Sequence, residues 1–455
     1  MKEFDAIIIG TGQAGPSLAA RLAASGMQTA IVERDKFGGT CVNTGCTPTK
    51  ALVASARTAF MARRSQDFGV YINGQVTVDM KSVKARKDAI VRQSNEGVEN
   101  WLKHTENLTV YEGHARFVEP YTLQVGETLL KSERIFINVG GRASVPSGFE
   151  GVSYFTNASI MDVDFLPEHL VIVGGSYIGL EFGQMYRRFG SEVTIIERGD
   201  RLLRREDPDV SEEVQKILEA EGIRFRLKAA CLGAKEEEGK ILVNVDCSTG
   251  DKEIKGSHLL IAAGRKPNTD DLGLSLAGVE VDQKGFIKVD DKLQTNVPGV
   301  WALGDVNGKG AFTHTAYNDF EIVAANILDQ DPRKVSDRIT CYALYIDPAL
   351  ARIGLTEAEA RESGKNVMMA TRPMQRIARA REKGETNGFM KILVDGDTKK
   401  ILGATILGIE GDEIIHSLLD MMYADMPYTT IQNAVHIHPT VSELIPTTLA
   451  DLEPL

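Results

Sequence analysis

Two cysteines five positions apart, Cys41 and Cys46, are the residues of this chain with the clearest capacity for chemistry. They lie in a glycine-rich segment, Gly38 to Lys50. A zinc site would need two further ligands at metal-binding spacing, and the next Cys or His along the chain is His104. A structural disulfide would be unusual in a chain that we expect to remain in the cytosol. The pair therefore predicts a dithiol that cycles with its disulfide, and we assign no metal site.

The spacing of the pair, near a helix start, lets two sulfurs meet while one is partly shielded and the other is exposed. The positive end of a helix dipole lowers the pKa of a thiol there, and the thiolate is the form that attacks or donates electrons. The other cysteines have no neighbouring partner and are interpreted as small core or surface residues: Cys231, Cys247 and Cys341.

The elements that must hold this pair begin with a glycine turn near the start of the chain. A buried-type strand, Ala6 to Ile9, enters a G-x-G-x-x-G turn at Gly10, Gly12 and Gly15. Such glycines permit the tight turn, let backbone amides approach a pyrophosphate, and let helix and strand pack closely. A helix and a second strand follow, and Glu33 is placed to accept hydrogen bonds from an adenosine ribose. The pattern predicts a Rossmann unit.

The same pattern returns in the middle of the chain. The strand His169 to Val173 leads into a turn with Gly174, Ser176 and Gly179, and a later strand ends at Glu197. The first glycine and the closing acid have the same separation in both units, so two bound dinucleotides are implied. Ser176 replaces the middle glycine, and its small side chain should still allow close approach to the second, exchangeable nucleotide.

The acid that closes the second unit bears on which nucleotide binds there. A carboxylate at Glu197 favours a free ribose 2′-hydroxyl and would repel a 2′-phosphate, so NADH is preferred over NADPH. Arg198 and Arg201 lie nearby and would suit NADPH, but Arg34 also follows the acid of the first unit. An arginine after the acid is therefore no phosphate signal by itself.

The length of the chain indicates several domains, and its net charge argues against some classes of partner. The chain has 455 residues, too many for one hydrophobic core, and its formal net charge is -11. This acidic balance argues against nucleic-acid binding and gives no reason to expect attraction to anionic membranes. Neither an apolar stretch long enough to span a bilayer nor a secretory signal is found. We therefore expect a cytoplasmic protein with no nucleic-acid or membrane partner.

The segment around the cysteine pair, Gly39 to Lys50, resembles the active-site segment of the flavoprotein disulfide reductases. These include dihydrolipoamide dehydrogenase, glutathione reductase and mercuric reductase. Thr295 to Asp305 is similar to the family's second flavin motif, and Ile346 to Glu357 is similar to the start of its dimerisation domain. Ile137 to Arg142 and Ile261 to Pro267 are similar to its domain-crossing segments. The resemblance covers essentially the whole chain and implies an FAD-dependent, two-cysteine oxidoreductase.

The resemblance implies a role for each matching residue. Cys41 would be the thiol that attacks the acceptor, and Cys46 would lie beside the flavin and form a charge-transfer complex when reduced. Lys50 would lie near the reactive edge of the flavin and pair with Glu181. Tyr177 lies where some relatives place an aromatic gate over the nicotinamide pocket, and packing at a helix start is the alternative. The remaining residues implied at the nucleotide sites are Gly39, Thr40, Gly140, Gly264, Gly304 and Asp305.

Near the end of the chain, His438 precedes Pro439, and Glu443 follows five residues after the histidine. Alone, this pattern would indicate polar surface residues in a turn. Within the resemblance it matches the family's catalytic His-Glu dyad, which is donated across a two-fold interface, so a homodimer is implied. A histidine with a pKa near the working pH can move the proton that thiol chemistry requires, and a carboxylate orients its ring.

The motifs together predict an α/β architecture with two Rossmann-like dinucleotide-binding domains and a C-terminal α+β dimerisation domain. The FAD-binding domain would comprise residues 1–147 and 270–334, the NAD(P)-binding domain 148–269, and the interface domain 335–455.

Electrons would pass from NADH through FAD and the cysteine pair to a small disulfide or dithiol acceptor. The acceptor itself stays open. Thr44 and Thr47 occupy positions where dihydrolipoamide dehydrogenases usually carry Val and Ile, and the chain ends without the Cys pair of mercuric reductases. The general likeness is to mercuric-reductase-like bacterial flavoproteins, some of them linked to oxidant defence.

Two alternatives use the same flavin differently. The first is a reductase of metal ions or quinones, for which the His-Glu dyad would be dispensable. The second is a non-catalytic redox-sensing flavoprotein. The joint presence of Lys50, Glu181, His438 and Glu443 argues against the second.

Overall fold

The computed structural model describes residues 1–246 and 251–455. The described chain contains two sheets built mainly on parallel strands and a C-terminal antiparallel sheet. The expected α/β architecture, with two Rossmann-like units and an α+β unit at the C-terminus, is confirmed. Cys247, interpreted above as a core or surface residue, lies outside the described residues.

The first Rossmann unit is built on the strand Ala6–Ile9, whose four residues are all buried. A strand covered on both faces needs a continuous apolar run, and the sequence Ala-Ile-Ile-Ile supplies it. The helix Gly15–Ala24 follows, with Pro16 in its first turn, where a missing N–H costs nothing. In spatial order, the parallel strands of this sheet are Val300–Ala302, Ile135–Ile137, Ala6–Ile9, Thr29–Glu33 and Leu108–Glu112.

The second unit repeats this order. The helix Tyr177–Phe189 follows its central strand and ends at Gly190, whose φ of 127° strains any residue other than glycine. The helix Pro208–Ala220 covers the same unit. In spatial order, its parallel strands are Arg224–Arg226, Glu192–Ile196, His169–Val173 and His258–Ile261. A three-stranded antiparallel sheet is added to it: Ala230–Glu237, Lys240–Asp246 and Glu253–Gly256.

The cysteine segment lies where the two units meet. Gly39–Asn43 is a short helix, and the helix Cys46–Arg63 begins directly at the second cysteine. Cys46–Arg63 packs against both the long helix Met80–Lys103 and the second unit's helix Tyr177–Phe189. The cysteine pair is therefore held by elements of both units.

The chain crosses between the units at one place. Gly141–Ala143 and Arg265–Pro267 pair there as a two-stranded antiparallel ribbon. Beyond the ribbon, Val300–Ala302 returns to the first sheet, and the helix Thr313–Ala324 packs against Gly15–Ala24. A smaller sheet beside the first unit contains Lys2–Glu3, Thr128–Lys131, Thr122–Val125 and Ala115–Glu119. The domain limits given above remain a prediction.

The last unit is a six-stranded antiparallel sheet covered by helices. In spatial order its strands are Cys341–Leu344, Leu350–Gly354, Ile401–Leu407, Phe389–Asp395, Val367–Pro373 and Glu453–Pro454. Its helices are Glu357–Glu362, Ala378–Glu382, Gly411–Tyr423, Thr429–Gln432 and Leu444–Leu449. The apolar faces of Gly411–Tyr423 and Leu444–Leu449 share one core with the sheet. Across residues 1–246 and 251–455, no helix has both the length and the apolar character needed to cross a membrane.

Candidate active site

A cleft of about 1810 Å³ runs between the two Rossmann units. The sequence candidates that line it are Gly10, Gly12, Glu33, Gly39, Thr40, Cys41, Cys46, Lys50, Gly140, Gly174, Ser176, Tyr177, Glu181, Glu197, Gly264, Gly304 and Asp305. Gly15 and Gly179 lie behind their turns, at the helix starts. Among the residues that the structure describes, His438 and Glu443 do not line this cleft.

The backbone between the cysteines brings their two thiols together. Cys41 is on the short helix Gly39–Asn43, the chain reverses at Gly45, and Cys46 opens the next helix. A Cβ at Gly45 would lie 2.8 Å from the Thr40 carbonyl oxygen, so only glycine fits this reversal. Both thiols are free; Cys41 is partly buried and Cys46 is exposed to the cleft.

The two thiols of the pair differ strongly in pKa. The pKa of Cys46 is lowered to about 6, chiefly by a hydrogen bond with the Cys41 thiol and also by Thr313 and Lys50, against the opposing effect of burial. Cys46 Sγ lies 3.1 Å from Thr313 Oγ1. The hydrogen bond with Cys46, together with burial, raises the pKa of Cys41. Near neutral pH the pair therefore carries one negative charge, on Cys46.

An ion pair lies one helical turn beyond Cys46. Lys50 Nζ is 2.9 Å from Glu181 Oε2 and 3.1 Å from Glu181 Oε1. Lys50 Nζ also lies 4.4 Å from the centre of the Tyr345 ring, and Glu181 Oε1 accepts the Tyr345 N–H at 2.9 Å. The structure thus brings together the two residues that the resemblance pairs. A fixed ammonium group beside Cys46 stabilises a thiolate there.

The first glycine turn packs closely against neighbouring backbone and against the side chain of Asn138. A Cβ at Gly10 would lie 2.4 Å from Asn138 O, one at Gly12 would lie 2.9 Å from Asn138 Oδ1, and one at Gly15 would lie 2.3 Å from Gly10 O. Asn138 Oδ1 accepts the Gly15 N–H at 3.0 Å, and Asn138 Nδ2 donates to Leu303 O at 3.0 Å. Sequence reasoning missed this role of Asn138. A polar residue directly after a buried strand was the available signal.

Glu33 ends the second strand of this unit and is 9% exposed. Its Oε2 accepts the Thr11 N–H at 2.9 Å, and its Oε1 accepts the N–H groups of Arg34 and Asp35 at 2.8 and 3.0 Å. These donors hold the carboxylate at the wall of the cleft, where a ribose hydroxyl can reach it.

Another part of the cleft wall contains Gly140, Gly304 and Asp305. Both glycines have left-handed backbone, with φ of 62° and 76°. Burial raises the pKa of Asp305, and Arg265, 3.6 Å away, opposes that shift. A carboxyl group fixed at this wall can accept hydrogen bonds from a polyhydroxy chain.

These residues fit a bound FAD. The amides of the turn Gly10–Gly15 and the helix that follows supply positive potential for a pyrophosphate. Glu33 offers an acceptor to the adenosine ribose, and Asp305 offers one to the ribityl chain. A cleft of about 1810 Å³ also leaves room for a second nucleotide.

The second glycine turn repeats the close backbone contacts of the first but has an exposed serine at its middle position. A Cβ at Gly174 would lie 2.4 Å from Ala262 O, and one at Gly179 would lie 1.9 Å from Gly174 O. Ser176 is exposed to the cleft, and its hydroxyl does not cap the helix that it precedes. Gly264, with φ of 139°, lines the same part of the cleft. The Ser176 hydroxyl is therefore placed to donate to a ligand.

Glu197 ends the second strand of this unit. Its Oε2 accepts the Gly175 N–H at 2.9 Å, and its Oε1 accepts the Gly199 N–H at 2.7 Å. Arg198 and Arg204 line the same part of the cleft. The carboxylate thus takes the position in the second unit that Glu33 takes in the first.

Tyr177 is the first residue of the second unit's helix and covers part of the cleft. Its ring meets the rings of Phe312 and Tyr342 edge-on, with centroids 6.0 and 5.8 Å away. We call these three residues the aromatic cluster. The Tyr177 hydroxyl lies 3.3 Å from Glu206 Oε1. Tyr177 therefore packs at a helix start and also lines the cleft, so its geometry is compatible with either interpretation.

His438 and Glu443 form their pair outside the cleft. His438 Nδ1 lies 2.9 Å from Glu443 Oε2, and the side chains are 74% and 15% exposed. Val435 and Ile437, just before the histidine, are 101% and 81% exposed. Apolar side chains this exposed beside a polar dyad indicate a surface that contacts another protein.

Comparison with known proteins identifies the relatives of this arrangement. The family described as pyridine nucleotide-disulphide oxidoreductase matches residues 4–319, and the dimerisation domain of that family matches residues 340–449. The chain is 34% identical, over 97% of its length and 98% of the relative, to the probable pyridine nucleotide-disulfide oxidoreductase RclA of Escherichia coli (strain K12). It is 31% identical, over 96% of its length and 94% of the relative, to a dihydrolipoyl dehydrogenase of Haloferax volcanii.

A mercuric reductase of Lysinibacillus sphaericus is 33% identical over 91% of this chain and 76% of the relative. Among solved structures, the Cu(II) complex of the HOCl-induced flavoprotein disulfide reductase RclA from Escherichia coli has a TM-score of 0.90 at 33% identity, covering 99% of both chains. The expected family, reaction class and enzymatic activity are confirmed. The chain belongs to the pyridine nucleotide-disulphide oxidoreductases and is an FAD-dependent flavoprotein disulfide reductase.

Proposed function

We propose that this flavoenzyme oxidises NADH and reduces a small disulfide through Cys41 and Cys46, as a homodimer in the cytoplasm. One observation carries the proposal. The Cys46 thiol, with a pKa of about 6, lies in the cleft that both glycine turns line, beside the Lys50–Glu181 ion pair. The cytoplasm suits this chemistry because its thiols are kept reduced.

Bound FAD would supply the two-electron relay, taking hydride from the nicotinamide and passing an electron pair to the Cys41–Cys46 disulfide. In this proposal Cys46 is the thiol on the flavin side, and its low pKa keeps it as a thiolate once the disulfide has been reduced. Lys50 stabilises the resulting charge, and Glu181 holds the Lys50 ammonium in place.

The acceptor half of the reaction uses thiol exchange. The Cys41 thiolate attacks one sulfur of the acceptor disulfide, which forms a mixed disulfide and releases the first thiolate. The Cys46 thiolate then attacks Cys41 Sγ, which re-forms the Cys41–Cys46 disulfide and releases the second thiolate. His438 takes the proton from the Cys41 thiol and gives it to the first departing thiolate. The second thiolate takes its proton from solvent.

The homodimer in this proposal puts His438 of one protomer at the cysteine pair of the other. Three observations support it: the match to the dimerisation domain over residues 340–449, the exposure of Val435 and Ile437, and the position of His438 outside the cleft of its own chain. Glu443 orients the imidazole and stabilises its charged form.

NADH is the nucleotide that we propose for the second turn. The Glu197 carboxylate is held at the wall of the cleft by two backbone N–H groups, so it is fixed where a 2′-hydroxyl would donate and a 2′-phosphate would be repelled. Arg198 and Arg204 line the same region, but the Glu197 carboxylate stays in place beside them and would still repel a 2′-phosphate.

A metal ion such as Cu(II) is the second candidate acceptor. The likeness to a solved RclA that is a Cu(II) complex favours it, and so does the exposed, low-pKa thiol of Cys46, because thiolates are soft metal ligands. Reduction of a metal ion releases no thiolate from the acceptor, so His438 would not be required.

An anaerobic titration of the holoenzyme with NADH tests the central assignment. We expect a long-wavelength thiolate–flavin absorbance band to appear when NADH reduces the wild-type protein. In Cys41→Ser the band should be present before NADH is added, because Cys46 is then already a free thiolate, and in Cys46→Ser it should be absent throughout. Persistence of the band in Cys46→Ser would show that the role given to Cys46 is wrong.

A panel of acceptors separates the two candidate functions. In His438→Ala we expect turnover of small disulfides to fall by about 100-fold, the usual worth of a general acid-base group, while Cu(II) reduction is unchanged. His436→Ala, two residues away and equally close to the exposed segment, is the matched control and should turn over both acceptors normally. Unchanged turnover of every disulfide in His438→Ala would contradict the proton-transfer role.

A further inference from the structure

Glu206 is a buried carboxylate that joins the aromatic cluster to the last unit of the fold. Its side chain is 0% exposed. Its Oε1 accepts the Tyr342 hydroxyl at 2.8 Å and the Tyr177 hydroxyl at 3.3 Å, and its Oε2 lies 2.6 Å from Arg352 Nε. A charge is tolerated in a dry interior only when it is paired and hydrogen-bonded, and both oxygens of Glu206 meet that condition.

The partners of Glu206 fix it to the C-terminal sheet. Tyr342 and Arg352 lie directly opposite each other on the antiparallel strands Cys341–Leu344 and Leu350–Gly354. Arg352 Nη2 also reaches Asp207 Oδ2 at 2.8 Å. Glu206 is therefore held by two side chains of one strand pair and by Tyr177 of the second unit, and both tyrosines line the cleft.

The two hydroxyl groups share one oxygen unequally. Because Tyr342 is the closer donor, Oε1 of Glu206 keeps a hydrogen bond when the Tyr177 ring moves away. No buried acceptor is then left unpaired, which is the costly outcome in a protein interior. Of the two hydrogen bonds to Glu206, opening of Tyr177 breaks only the longer one.

We propose that Glu206 is a positioning residue that latches Tyr177 over the cleft, and that Tyr342 keeps the latch weak by competing for the same oxygen. The inference rests on the proposed function, since Tyr177 is taken to cover the nicotinamide position. When a site is open only part of the time, the apparent affinity for its ligand falls with the open fraction. Tyr342 would thus set nucleotide affinity from outside the nucleotide-binding unit.

Removing single hydroxyl groups tests the latch without disturbing the buried charges. Substitution of Glu206 itself would leave the Arg352 guanidinium buried beside fewer partners and would endanger folding. Tyr342→Phe and Tyr177→Phe keep the ring packing of the aromatic cluster. Tyr186→Phe, on the same helix as Tyr177 but outside the cleft lining, is the matched control.

Anaerobic stopped-flow reduction of the flavin, measured against NADH concentration, gives an apparent dissociation constant and a limiting rate for each variant. In Tyr342→Phe the Tyr177 hydroxyl becomes the sole tyrosine donor to Oε1, so we expect the apparent dissociation constant to rise by about tenfold, the worth of one hydrogen bond to a charged group. The limiting rate should stay as in the wild type. In Tyr177→Phe the latch is absent, so the apparent dissociation constant should fall.

The double variant separates a latch from a structural role of Tyr342. In a Tyr177→Phe background, the further change Tyr342→Phe should leave the apparent dissociation constant unchanged, because no latch remains to tighten. A rise of the same size in both backgrounds would overturn the latch.

The two possible failures are distinguishable. If neither NADH nor NADPH reduces the flavin of the wild-type protein, the proposed function is wrong and the latch with it. If the wild type is reduced but Tyr342→Phe binds the nucleotide as the wild type does, the latch alone is wrong.

Discussion

The turn at Gly10–Gly15 and the turn at Gly174–Gly179 share a backbone path but differ in what surrounds them. In both, a Cβ on the first glycine would lie 2.4 Å from a carbonyl oxygen at the end of a neighbouring strand, that of Asn138 in one unit and that of Ala262 in the other. The asparagine side chain reaches the first turn and accepts the Gly15 N–H. The alanine has no atoms that could do this for the second turn.

This difference explains why the middle residues of the two turns differ. A Cβ at Gly12 would lie 2.9 Å from Asn138 Oδ1, so the protein itself demands glycine there. At the corresponding place Ser176 is exposed to the cleft. We infer that the first turn is built around a nucleotide that stays and the second around one that exchanges.

The largest effect is expected from exchanging the middle residues of the two turns, because only the first turn should lose its nucleotide. Gly12→Ser introduces a side chain against Asn138 Oδ1, and overpacking of this kind costs enough that we expect less than about one-tenth of the wild-type flavin to remain bound. Flavin absorbance per protein of the purified variant measures this. The reciprocal change, Ser176→Gly, should keep the full flavin content. Equal flavin content in both variants would mean that the surroundings of the turns do not matter.

Removing the acid that closes each unit should affect a different nucleotide in each case. In Glu197→Ala we expect the ratio of kcat/KM for NADPH to that for NADH to rise by about tenfold, since the ribose acceptor and the repulsion of a 2′-phosphate are lost together. In Glu33→Ala the flavin content should fall while that ratio stays constant. Steady-state kinetics with both nucleotides decides the point, and an unmoved ratio in Glu197→Ala would contradict the proposed NADH preference.

The smallest expected effect concerns the thiols that face the cleft in each region. The pKa of Cys46 is lowered to about 6, chiefly by its hydrogen bond with Cys41, whereas burial, with Glu197, raises the pKa of Cys231 to about 12. The Cys46 thiolate is therefore present near neutral pH and is lost as the pH falls through about 6.

Thr313→Ala removes one hydrogen bond to that thiolate and should raise the pKa of Cys46 by about one pH unit. The pH at which the thiolate–flavin band of the NADH-reduced enzyme loses half its intensity measures the change. Thr313→Ser should restore the wild-type midpoint, and Cys231→Ser should leave it unmoved. An unchanged midpoint in Thr313→Ala would show that the threonine does not stabilise the thiolate.

Both glycine turns were predictable from sequence because their constraints are local. Each turn needs a buried strand before it, glycines at fixed spacing and an acid at the end of the next strand, and all of these lie within a short stretch of chain. The predicted strands Ala6 to Ile9 and His169 to Val173 have the same limits in the structure. The cysteine segment was recognisable for the same reason.

The residues that escaped sequence analysis act across long separations. Asn138 accepts from a residue 123 positions away, Thr313 contacts a cysteine 267 positions away, and Glu206 meets an arginine 146 positions away. Periodicity and motif spacing do not show which distant residue each of them contacts, because the two partners of each pair are brought together only by the fold. The tolerance of Ser176 was expected from its size alone, and the structure adds that its side chain is exposed to the cleft.

The ribbon formed by Gly141–Ala143 and Arg265–Pro267 makes the second unit a cassette. The chain enters and leaves it through strands that pair side by side, with Ala143 opposite Arg265, so roughly 5 Å separates the two ends. To replace the whole insert, a recombination event would have to match this seam, the packing of Cys46–Arg63 against Tyr177–Phe189, and the contacts of Glu206 and Asp207 with the last unit. Glu197 lies inside the cassette and Cys41 and Cys46 lie outside it. The electron donor and the chemistry at the acceptor can therefore be inherited separately.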